Sequence, residues 1–257
     1  YTYGIGVETD YDKALKCFQR GAEQGFPRAQ FLLGEAYRRG SGVEVNEAEA
    51  AKWYQSAAWL GYPGAQTELG RCLEFGSGVE VDLEQAVKWY SAAAEQGSAP
   101  GMCCLGFMYE SGRGVEQNWD TAVDWYKRAA EKGYPRALCN LAWCHEHGKG
   151  VKQDYAQAVR LYQEAADQEN VEQTVLEDAN RAIQTLAGYT MLEGQSENLV
   201  VAKGYADCVA FMGENSISVV VSAAEDGLQT EDVAKIKDIV LSETDYTVDQ
   251  IKIMEAN

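Results

Sequence analysis

The sequence predicts an α-solenoid of helix-turn-helix repeats followed by a small α+β domain, and three observations lead to this fold class. Gly-x-Gly pairs recur at a step of 36 residues through the first two-thirds of the chain. Aromatic and capping residues recur at the same step. Beyond residue 170 the period fails, and segments rich in Val and Ile alternate with helical ones. A period of about 20 to 50 residues is typical of solenoids. The glycine pairs are Gly4/Gly6, Gly40/Gly42, Gly76/Gly78, Gly112/Gly114 and Gly148/Gly150.

Each repeat is predicted to hold two short helices. An Asp or Asn marks the start of one helix, because its side chain accepts hydrogen bonds from free backbone amides there. In one repeat this helix is Glu47–Leu60, which Gly61 ends in a left-handed conformation. Pro63 then suits the first turn of the next helix. The predicted capping residues are Asp10, Asn46, Asp82, Asn118 and Asp154.

The other helix of a repeat, for example Ala29–Arg39, carries a small residue in its middle. Gly34 and its counterparts Gly70 and Gly106 are expected to let the two helices approach closely. Two short helices cannot bury their own apolar face, so neighbouring repeats must cover it. Residues 1–170 are therefore predicted to form about four and a half stacked repeats, in which the tryptophans of the Trp-Tyr pairs are structural: Trp53, Trp89 and Trp125.

The repeat resembles a known family. Its pattern of Leu-Gly-x-x-Tyr, Gly-x-Gly-Val and Lys-Ala-x-x-Trp-Tyr is similar to the Sel-one-like repeat, a relative of the tetratricopeptide repeat. The resemblance implies a non-enzymatic adaptor that assembles other proteins. Tyr1 aligns with Tyr37, so the first repeat is expected to be incomplete.

The remaining third of the chain is predicted to contain a capping or connecting helix, residues 171–188, and a separate domain, residues 189–257. Its elements are a short helix capped by Ser196 and a hairpin of two strands across Asp207–Ala223. A helix over Thr230–Ser242, capped by Thr230, and a last strand over Gln250–Met254 complete it. The order helix, strand, strand, helix, strand is that of a small α+β domain.

This domain resembles the extracytoplasmic domain of the stage III sporulation protein AH family. The likeness lies in Glu197-Asn198-Leu199, Val219-Val220-Val221, and the segment from Val233 to Val240. It implies a ring-building fold that pairs with a stage II sporulation protein Q-like domain. It also implies a place between mother cell and forespore if an upstream anchor exists, and otherwise a cytoplasmic one.

Composition excludes several classes of function. The chain has 257 residues, with 40 acidic and 22 basic side chains and a net charge of −18. This charge disfavours nucleic acid and anionic membrane as main partners, since both need clustered Lys and Arg. No stretch reaches the roughly 18 apolar residues of a membrane span. Seven cysteines at irregular spacing predict free thiols rather than a disulfide framework.

Catalytic and metal sites find little support. The segment Cys144-His145-Glu146-His147 holds both histidines of the chain. Residues two apart on a helix point to different sides, so a packed His145 with an exposed His147 is favoured over a zinc site. The Gly-x-Gly loops lack the spacing of phosphate-binding loops. The sequence predicts no enzyme and no cofactor.

The candidate functional site is the groove that the resemblance places along the first helices of the repeats. Large apolar residues at outward positions and a row of glutamates beside them suit a partner segment that is apolar and basic. The alternative is that these aromatic side chains pack between repeats. The predicted partner-binding residues are Phe31, Arg38, Arg71, Glu74, Phe75, Phe107, Glu110, Trp143 and Glu146.

Two interaction functions follow. In one, the chain is a scaffold whose C-terminal domain docks into a sporulation-type ring or channel and can itself form homo-oligomers. In the other, it is a general repeat adaptor that binds a peptide in the groove, and its C-terminal domain is similar in fold only. The hairpin over Asp207–Ser222 is a further candidate surface, because an exposed strand edge pairs readily with another chain.

Overall fold

A computed structural model describes residues 11–168, 171–202, 205, 208–213, 216–222 and 228–256. The chain divides into two compact units, Tyr1–Ala179 and Asn180–Asn257, called here the repeat unit and the C-terminal unit. The predictions for Gly4, Gly6 and Asp10 lie outside the described residues, as do the predicted hairpin ends Asp207 and Ala223. The helices that lie wholly in the repeat unit are α1 (Tyr11–Glu23), α2 (Pro27–Arg39), α3 (Glu47–Trp59), α4 (Pro63–Phe75), α5 (Leu83–Glu95), α6 (Ala99–Ser111), α7 (Trp119–Ala130), α8 (Pro135–His147) and α9 (Tyr155–Ala166).

The predicted caps begin and end these helices. The side chain of Asn46 accepts a hydrogen bond from the Glu49 amide at 3.0 Å, and Asp82, Asn118 and Asp154 do the same one repeat later each time. Gly40, which ends α2, is left-handed with a φ of 71°. The glycines that end α4, α6 and α8 are left-handed as well. These caps satisfy backbone groups that a short helix otherwise leaves without partners.

The two helices of a repeat meet at the predicted small residue. A Cβ on Gly70 would lie 2.6 Å from a ring carbon of Tyr90, and Gly106 stands in the same relation to Tyr126. The tyrosine of each Trp-Tyr pair therefore fills the core and is fully buried, whereas Trp89 and Trp125 are half-buried. Trp53 and Trp89 pack against the buried clusters of their repeats, and the tyrosine ring is the one that reaches the glycine.

The second glycine of each Gly-x-Gly loop forms the junction with the preceding repeat. A Cβ on Gly114 would lie 2.4 Å from the carbonyl oxygen of Leu83, at the start of α5. Gly78 lies against Glu47, and Gly150 against Trp119, in the same way. All three glycines have positive φ. The repeats thus stack through backbone contacts that leave no space for a side chain.

Residues 173 to 202 form one helix, α10 (Gln173–Ala202). This corrects the prediction of a helix ending near Leu186 and a second one capped by Ser196. Ser196 is fully buried inside α10, and no Pro or left-handed Gly interrupts the helix between residues 186 and 196. Among the described helices, α10 included, none has the length and apolar character that crossing a membrane requires.

The C-terminal unit holds a three-stranded sheet. Strand β1 (Cys208–Gly213) is antiparallel to β2 (Ser216–Val221), which is parallel to β3 (Ile251–Glu255). Helix α11 (Thr230–Glu243) precedes β3, and its cap is Gln229 rather than the predicted Thr230. The core of this unit consists of Val200, Ala210, Met212, Ile217, Val219, Val221, Ile236, Ile239, Val240 and Ile251.

The outer edge of β1 is covered by two carboxylates of α10. The amide of Ala210 donates to Glu197 at 2.7 Å, and the amide of Met212 donates to Glu193 at 2.5 Å. Burial raises the pKa of Glu193, and the nearby Glu197 raises it further. Side chains that accept hydrogen bonds from the amides of an edge strand prevent that strand from pairing with another. The predicted hairpin edge is therefore not free along β1.

Candidate partner-binding surface

The surface formed by the first helices of the repeats carries exposed aromatic side chains. We call the solvent-facing positions of α2, α4, α6 and α8 the first-helix face. Phe75 at the end of α4 is 62% exposed, and Phe107 in the middle of α6 is 39% exposed. Because α4 packs against α6, these two predicted site residues lie on neighbouring helices of this face. They support the expectation of apolar contact points for a partner.

A row of glutamate–tyrosine hydrogen bonds lies beneath this face. The hydroxyl of Tyr90 donates to Glu74 at 2.7 Å, that of Tyr126 to Glu110 at 2.5 Å, and that of Tyr162 to Glu146 at 2.9 Å. Each glutamate precedes its tyrosine by 16 residues. The predicted acidic row is thus part of the core of each repeat as well as of its surface.

In the α2–α3 pair a tyrosine hydroxyl also donates to a glutamate, but the glutamate lies at a different position of the helix. Arg38 occupies the position of the glutamate, and Tyr54 donates instead to Glu35 at 2.5 Å. Arg38 and Arg39 both form ion pairs with Glu35. Burial pushes the pKa of Glu35 upward, but hydrogen bonds from Arg38 and Tyr54 outweigh it, so this pKa lies below its ordinary value.

Burial sets the ionisation of the tyrosines in these pairs. It raises the pKa of Tyr54, Tyr90 and Tyr126 far above the ordinary tyrosine value. The glutamate beside each hydroxyl raises the pKa further, since a second negative charge there would be repelled. Within the neutral range these tyrosines therefore act only as neutral hydrogen-bond donors.

The structure corrects the prediction that Glu74 is a partner-binding residue. It is only 5% exposed, and its carboxylate also accepts a hydrogen bond from Nη1 of Arg113 at 2.5 Å. Arg113 lies inside the Gly112–Gly114 loop of the next repeat, and its guanidinium carbon is 5.8 Å from the centre of the Phe75 ring. Glu74 therefore joins two repeats and is not available as a free carboxylate.

Removal of Arg113 is expected to destabilise the repeat unit. The Arg113→Met variant leaves the buried Glu74 carboxylate with Tyr90 as its hydrogen-bond donor, and we expect a loss of about 2 kcal/mol, the range of a hydrogen bond to a charged group. The double variant Arg113→Met/Glu74→Gln removes the charge as well and should recover most of that loss. Urea unfolding followed by tryptophan fluorescence measures both, because all six tryptophans lie between residues 53 and 143. A double variant as unstable as the single one would contradict this interpretation.

Glu110 on α6 and Glu146 on α8 are half-buried carboxylates of the first-helix face. Each uses one oxygen for a tyrosine, and neither forms an ion pair among the described residues. Lys149 occupies the loop position of Arg113 one repeat later, but its ammonium lies over the ring of Trp119 at 5.8 Å. The basic group that neutralises Glu74 thus has no counterpart at Glu110.

Other predicted site residues have partners inside the chain. Trp143 stacks between Trp119 at 5.9 Å and His147 at 4.2 Å, and it is half-buried. Phe31 is half-buried against Tyr54 and Tyr62. For these two aromatic residues the alternative of packing within the stack describes the contacts better. Arg38 and Arg71 are exposed and line a pocket with Phe75 and Ser77.

Most of the cysteines are buried or half-buried. All seven cysteines are free, and burial raises the pKa of Cys104 to about 11 and that of Cys144 to about 12. Cys103 is buried. His147 is half-buried against Trp143 rather than exposed. Among the described residues, no three His, Cys, Asp or Glu side chains are grouped to hold a metal ion.

Sequence reasoning missed the role of Arg113 and of the tyrosine hydroxyls. A signal for the hydroxyls was present, because Glu and Tyr recur with a constant separation of 16 residues through three repeats. No comparable signal existed for Arg113, since the residue between the two glycines is Ser, Ser, Arg and Lys in successive described loops.

A stack of short helix pairs, each of which contacts its neighbours, is the architecture of solenoid repeat proteins. The chain belongs to the Sel1 repeat family, whose repeat matches residues 1–26, 27–62, 63–98 and 99–134. Sel1 repeats indicate a protein-interaction scaffold, and proteins of this kind are typically non-catalytic. Residues 150–253 match the SpoIIIAH-like protein family, so a domain of that kind is present as well.

Solved structures agree with this assignment. A Sel1 repeat protein from Oxalobacter formigenes is 36% identical, with 66% of this chain and 70% of that chain covered and a TM-score of 0.59. The protein c5321, a protective antigen of uropathogenic Escherichia coli with an SLR fold, is 29% identical with a TM-score of 0.61. The match covers 95% of this chain and 52% of c5321, so the chain spans about half of that protein. A comparison with curated proteins gives no match.

Proposed function

We propose that the chain is a non-enzymatic scaffold that binds an apolar and basic segment of a partner protein on its first-helix face. The observation that carries the proposal is the pair Phe107 and Glu110 on α6. They are three residues apart, so they share one side of the helix. Phe107 offers exposed apolar surface, and Glu110 offers a carboxylate without an ion pair among the described residues.

Phe75 and Glu146 extend this site along the stack. Phe75 belongs to the preceding repeat and Glu146 to the following one, so a bound segment meets aromatic surface before carboxylates. Interface energy concentrates in buried aromatic and charged anchors. A segment with a Leu or Phe followed by Lys or Arg fits this order of side chains.

The groove is tested by selection from a library of twelve-residue peptides displayed on phage. We expect enrichment of apolar residues beside Lys or Arg, and we expect Phe107→Ala to weaken a selected peptide about tenfold or more. Glu110→Gln should reduce the preference for basic residues. Phe26→Ala is the matched control, because Phe26 is an exposed phenylalanine outside the first-helix face. If Phe107→Ala lowers urea stability and affects binding no more than Phe26→Ala does, the side chain packs between repeats and the proposal fails.

The second part of the proposal is that the C-terminal unit docks into a sporulation-type ring or channel assembly. Its sheet has one face that α10 and α11 do not cover. Val209 on β1 and Met254 on β3 are both 47% exposed and flank Val220 on β2 in register. Phe211 in the next row is 55% exposed. An apolar cross-strand row of this kind suits contact with another protein.

Sedimentation of the chain with a purified stage II sporulation protein Q-like domain tests this part. A complex that is lost when residues 189–257 are deleted, and weakened by Phe211→Ser, supports docking through the sheet. Sedimentation of the chain alone tests the predicted homo-oligomer. No complex and a monomer would favour the alternative function, a general repeat adaptor whose C-terminal unit resembles the family in fold only.

A further inference from the structure

An exposed Trp-Leu pair distinguishes one repeat from all the others. Trp59 ends α3 and is 73% exposed, and Leu60 follows it at 55% exposed. At the same two positions the other repeats carry an acidic residue followed by an amide or a lysine. The pattern of the fold itself therefore does not require apolar residues there. The equivalent pairs are Glu23-Gln24, Glu95-Gln96, Glu131-Lys132 and Asp167-Gln168.

Leu60 also leaves a buried polar atom without a partner. In the following repeat, Oε1 of Gln66 accepts a hydrogen bond from Gln96 at 2.7 Å. Gln30 is the residue equivalent to Gln66, and its Oε1 is buried with no hydrogen-bond partner among the described residues. Leu60 stands where an amide like that of Gln96 would donate. A residue that costs stability without an evident gain inside the fold points to a function on the surface.

Trp59 forms one wall of a pocket between α3 and α5. Leu69 and Leu73 of α4 also line this pocket, and Trp89 of α5 meets Trp59 edge to face, with ring centres 5.1 Å apart. The amide side chains of Gln55 and Gln85 line it as well. Its one charged lining residue, Lys52, forms an ion pair with Glu49 at 2.6 Å. The pocket thus combines aromatic surface with amide oxygens that can accept hydrogen bonds.

The next repeat shows what this ring position accepts. Trp125 is equivalent to Trp89, and the guanidinium carbon of Arg128 lies 4.0 Å from its ring centre. The residue equivalent to Arg128 in the α5 helix is Ala92. The guanidinium that covers one tryptophan is therefore missing at the other, where Trp59 adds a second aromatic ring. Cations over tryptophan rings bind through the negative face of the ring.

Size and charge exclude a second copy of the chain as the occupant. Trp59 and Leu60 together expose on the order of 300 Å², whereas a stable interface buries about 800 Å² on each partner. Each copy carries a charge of −18, so two copies repel one another while a basic segment is attracted. A short basic segment of a different protein fits both conditions.

We propose that Trp59, Leu60 and Trp89 form a docking site for an arginine-bearing segment of a partner protein. The guanidinium stacks on the tryptophan surface, and its N–H groups donate to the amide oxygens of Gln55 and Gln85. The methylene part of the arginine and an adjoining apolar residue cover Leu60 and enter the pocket. Trp59 and Trp89 lie on α3 and α5, which do not belong to the first-helix face, so the site does not depend on the groove.

The test compares two dye-labelled peptides of ten residues that contain two Arg-Leu pairs in a Gly-Ser background. In the second peptide citrulline replaces each arginine, which keeps the shape and removes the charge. Fluorescence anisotropy with the full chain is expected to show at least about fivefold tighter binding of the arginine peptide. Because the groove is also expected to bind Arg beside Leu, the comparison is made in the Phe107→Ala/Glu110→Gln background, in which the preference for arginine should persist. Adding Trp59→Gln, which does not change the net charge of that background, should bring the ratio close to one and thereby separates this site from the groove.

Three results would overturn the proposal. An equal preference for arginine in Trp59→Gln would mean that the net charge alone attracts the peptide, and equal or absent binding of both peptides would remove the site. A dimer of the unmodified chain that dissociates in Trp59→Gln would make a second copy the occupant. Trp59 is exposed, so urea unfolding of this variant should match that of the unmodified chain and rule out a folding defect.

Discussion

Raising the pH from about 8 to about 11 is expected to lower the free energy of unfolding of the repeat unit by about 4 kcal/mol or more. Tyr54, Tyr90 and Tyr126 are fully buried, and their folded pKa values are raised far above the unfolded value of about 10. Their stabilisation is present below the unfolded pKa and is lost as the pH rises through it. At pH 11 the contribution of each tyrosine to the free energy of unfolding is lower by about 1.4 kcal/mol.

Buried thiols act in the same direction. Burial raises the pKa of Cys144 to about 12, whereas a free thiol ionises near 8.5. The repeat unit is therefore expected to unfold cooperatively in alkali. Tyrosinate absorbance should rise together with the loss of helical circular dichroism. A smooth rise in absorbance with no loss of helix would show that these hydroxyls ionise in the folded protein, and would sink the prediction.

Tyr126→Phe provides the matched variant for the alkaline experiment. It removes one hydroxyl that titrates and one hydrogen bond to Glu110. At neutral pH we expect a loss of about 1 kcal/mol. At about pH 11 the unmodified chain is destabilised by about 1.4 kcal/mol through this hydroxyl and the variant is not, so the variant should be as stable as the unmodified chain or slightly more stable. A difference that stays constant with pH would mean that Tyr126 does not contribute to the transition.

The features of the fold that the sequence predicted correctly have local causes. Asn46 and its equivalents cap helices because a side-chain oxygen reaches an amide three residues away, and Gly40 ends a helix because it tolerates positive φ. Gly70 predicts close helix contact for the same kind of reason: nothing larger fits against the ring of Tyr90. Each cause acts within one repeat, and the period then displays it several times.

The errors arose where contacts depend on residues distant in sequence. Glu74 has the spacing of an outward residue, and the guanidinium of Arg113, 39 residues later, takes up its carboxylate. Such side-chain contacts between repeats leave no period, because Arg113 has Ser or Lys as counterparts.

The candidate site divides in the same way. Exposure of Phe75 and Phe107 follows from helix spacing and was predicted from it. Trp143 has the same spacing but stacks on Trp119, a residue that other repeats replace with Glu, Leu or Tyr. The sequence did not predict a binding role for Trp59. Its departure from the repeat pattern becomes informative only once its exposure and the nearby pocket are known.

The Gly114→Ala substitution is expected to destabilise the repeat unit by about 4 kcal/mol. Two effects add at this position. Gly114 has a φ of 69°, which costs a residue with a side chain about 1 to 2 kcal/mol. The new Cβ would lie 2.4 Å from the carbonyl oxygen of Leu83, and overpacking against surroundings that cannot move costs about 1 to 3 kcal/mol more. Because the contact joins Gly114 to the backbone of the preceding repeat, the strain spreads to that repeat.

Gly61→Ala separates these two effects. Gly61 has a φ of 83°, but no atom lies within 4 Å of the added Cβ. This variant therefore carries the conformational cost without the clash, and we expect a loss of about 1 kcal/mol. Urea unfolding followed by tryptophan fluorescence reports on the repeat unit for both variants. If the two losses are equal, the contact between Gly114 and Leu83 contributes nothing, and the stacking of repeats through this backbone contact would have to be abandoned.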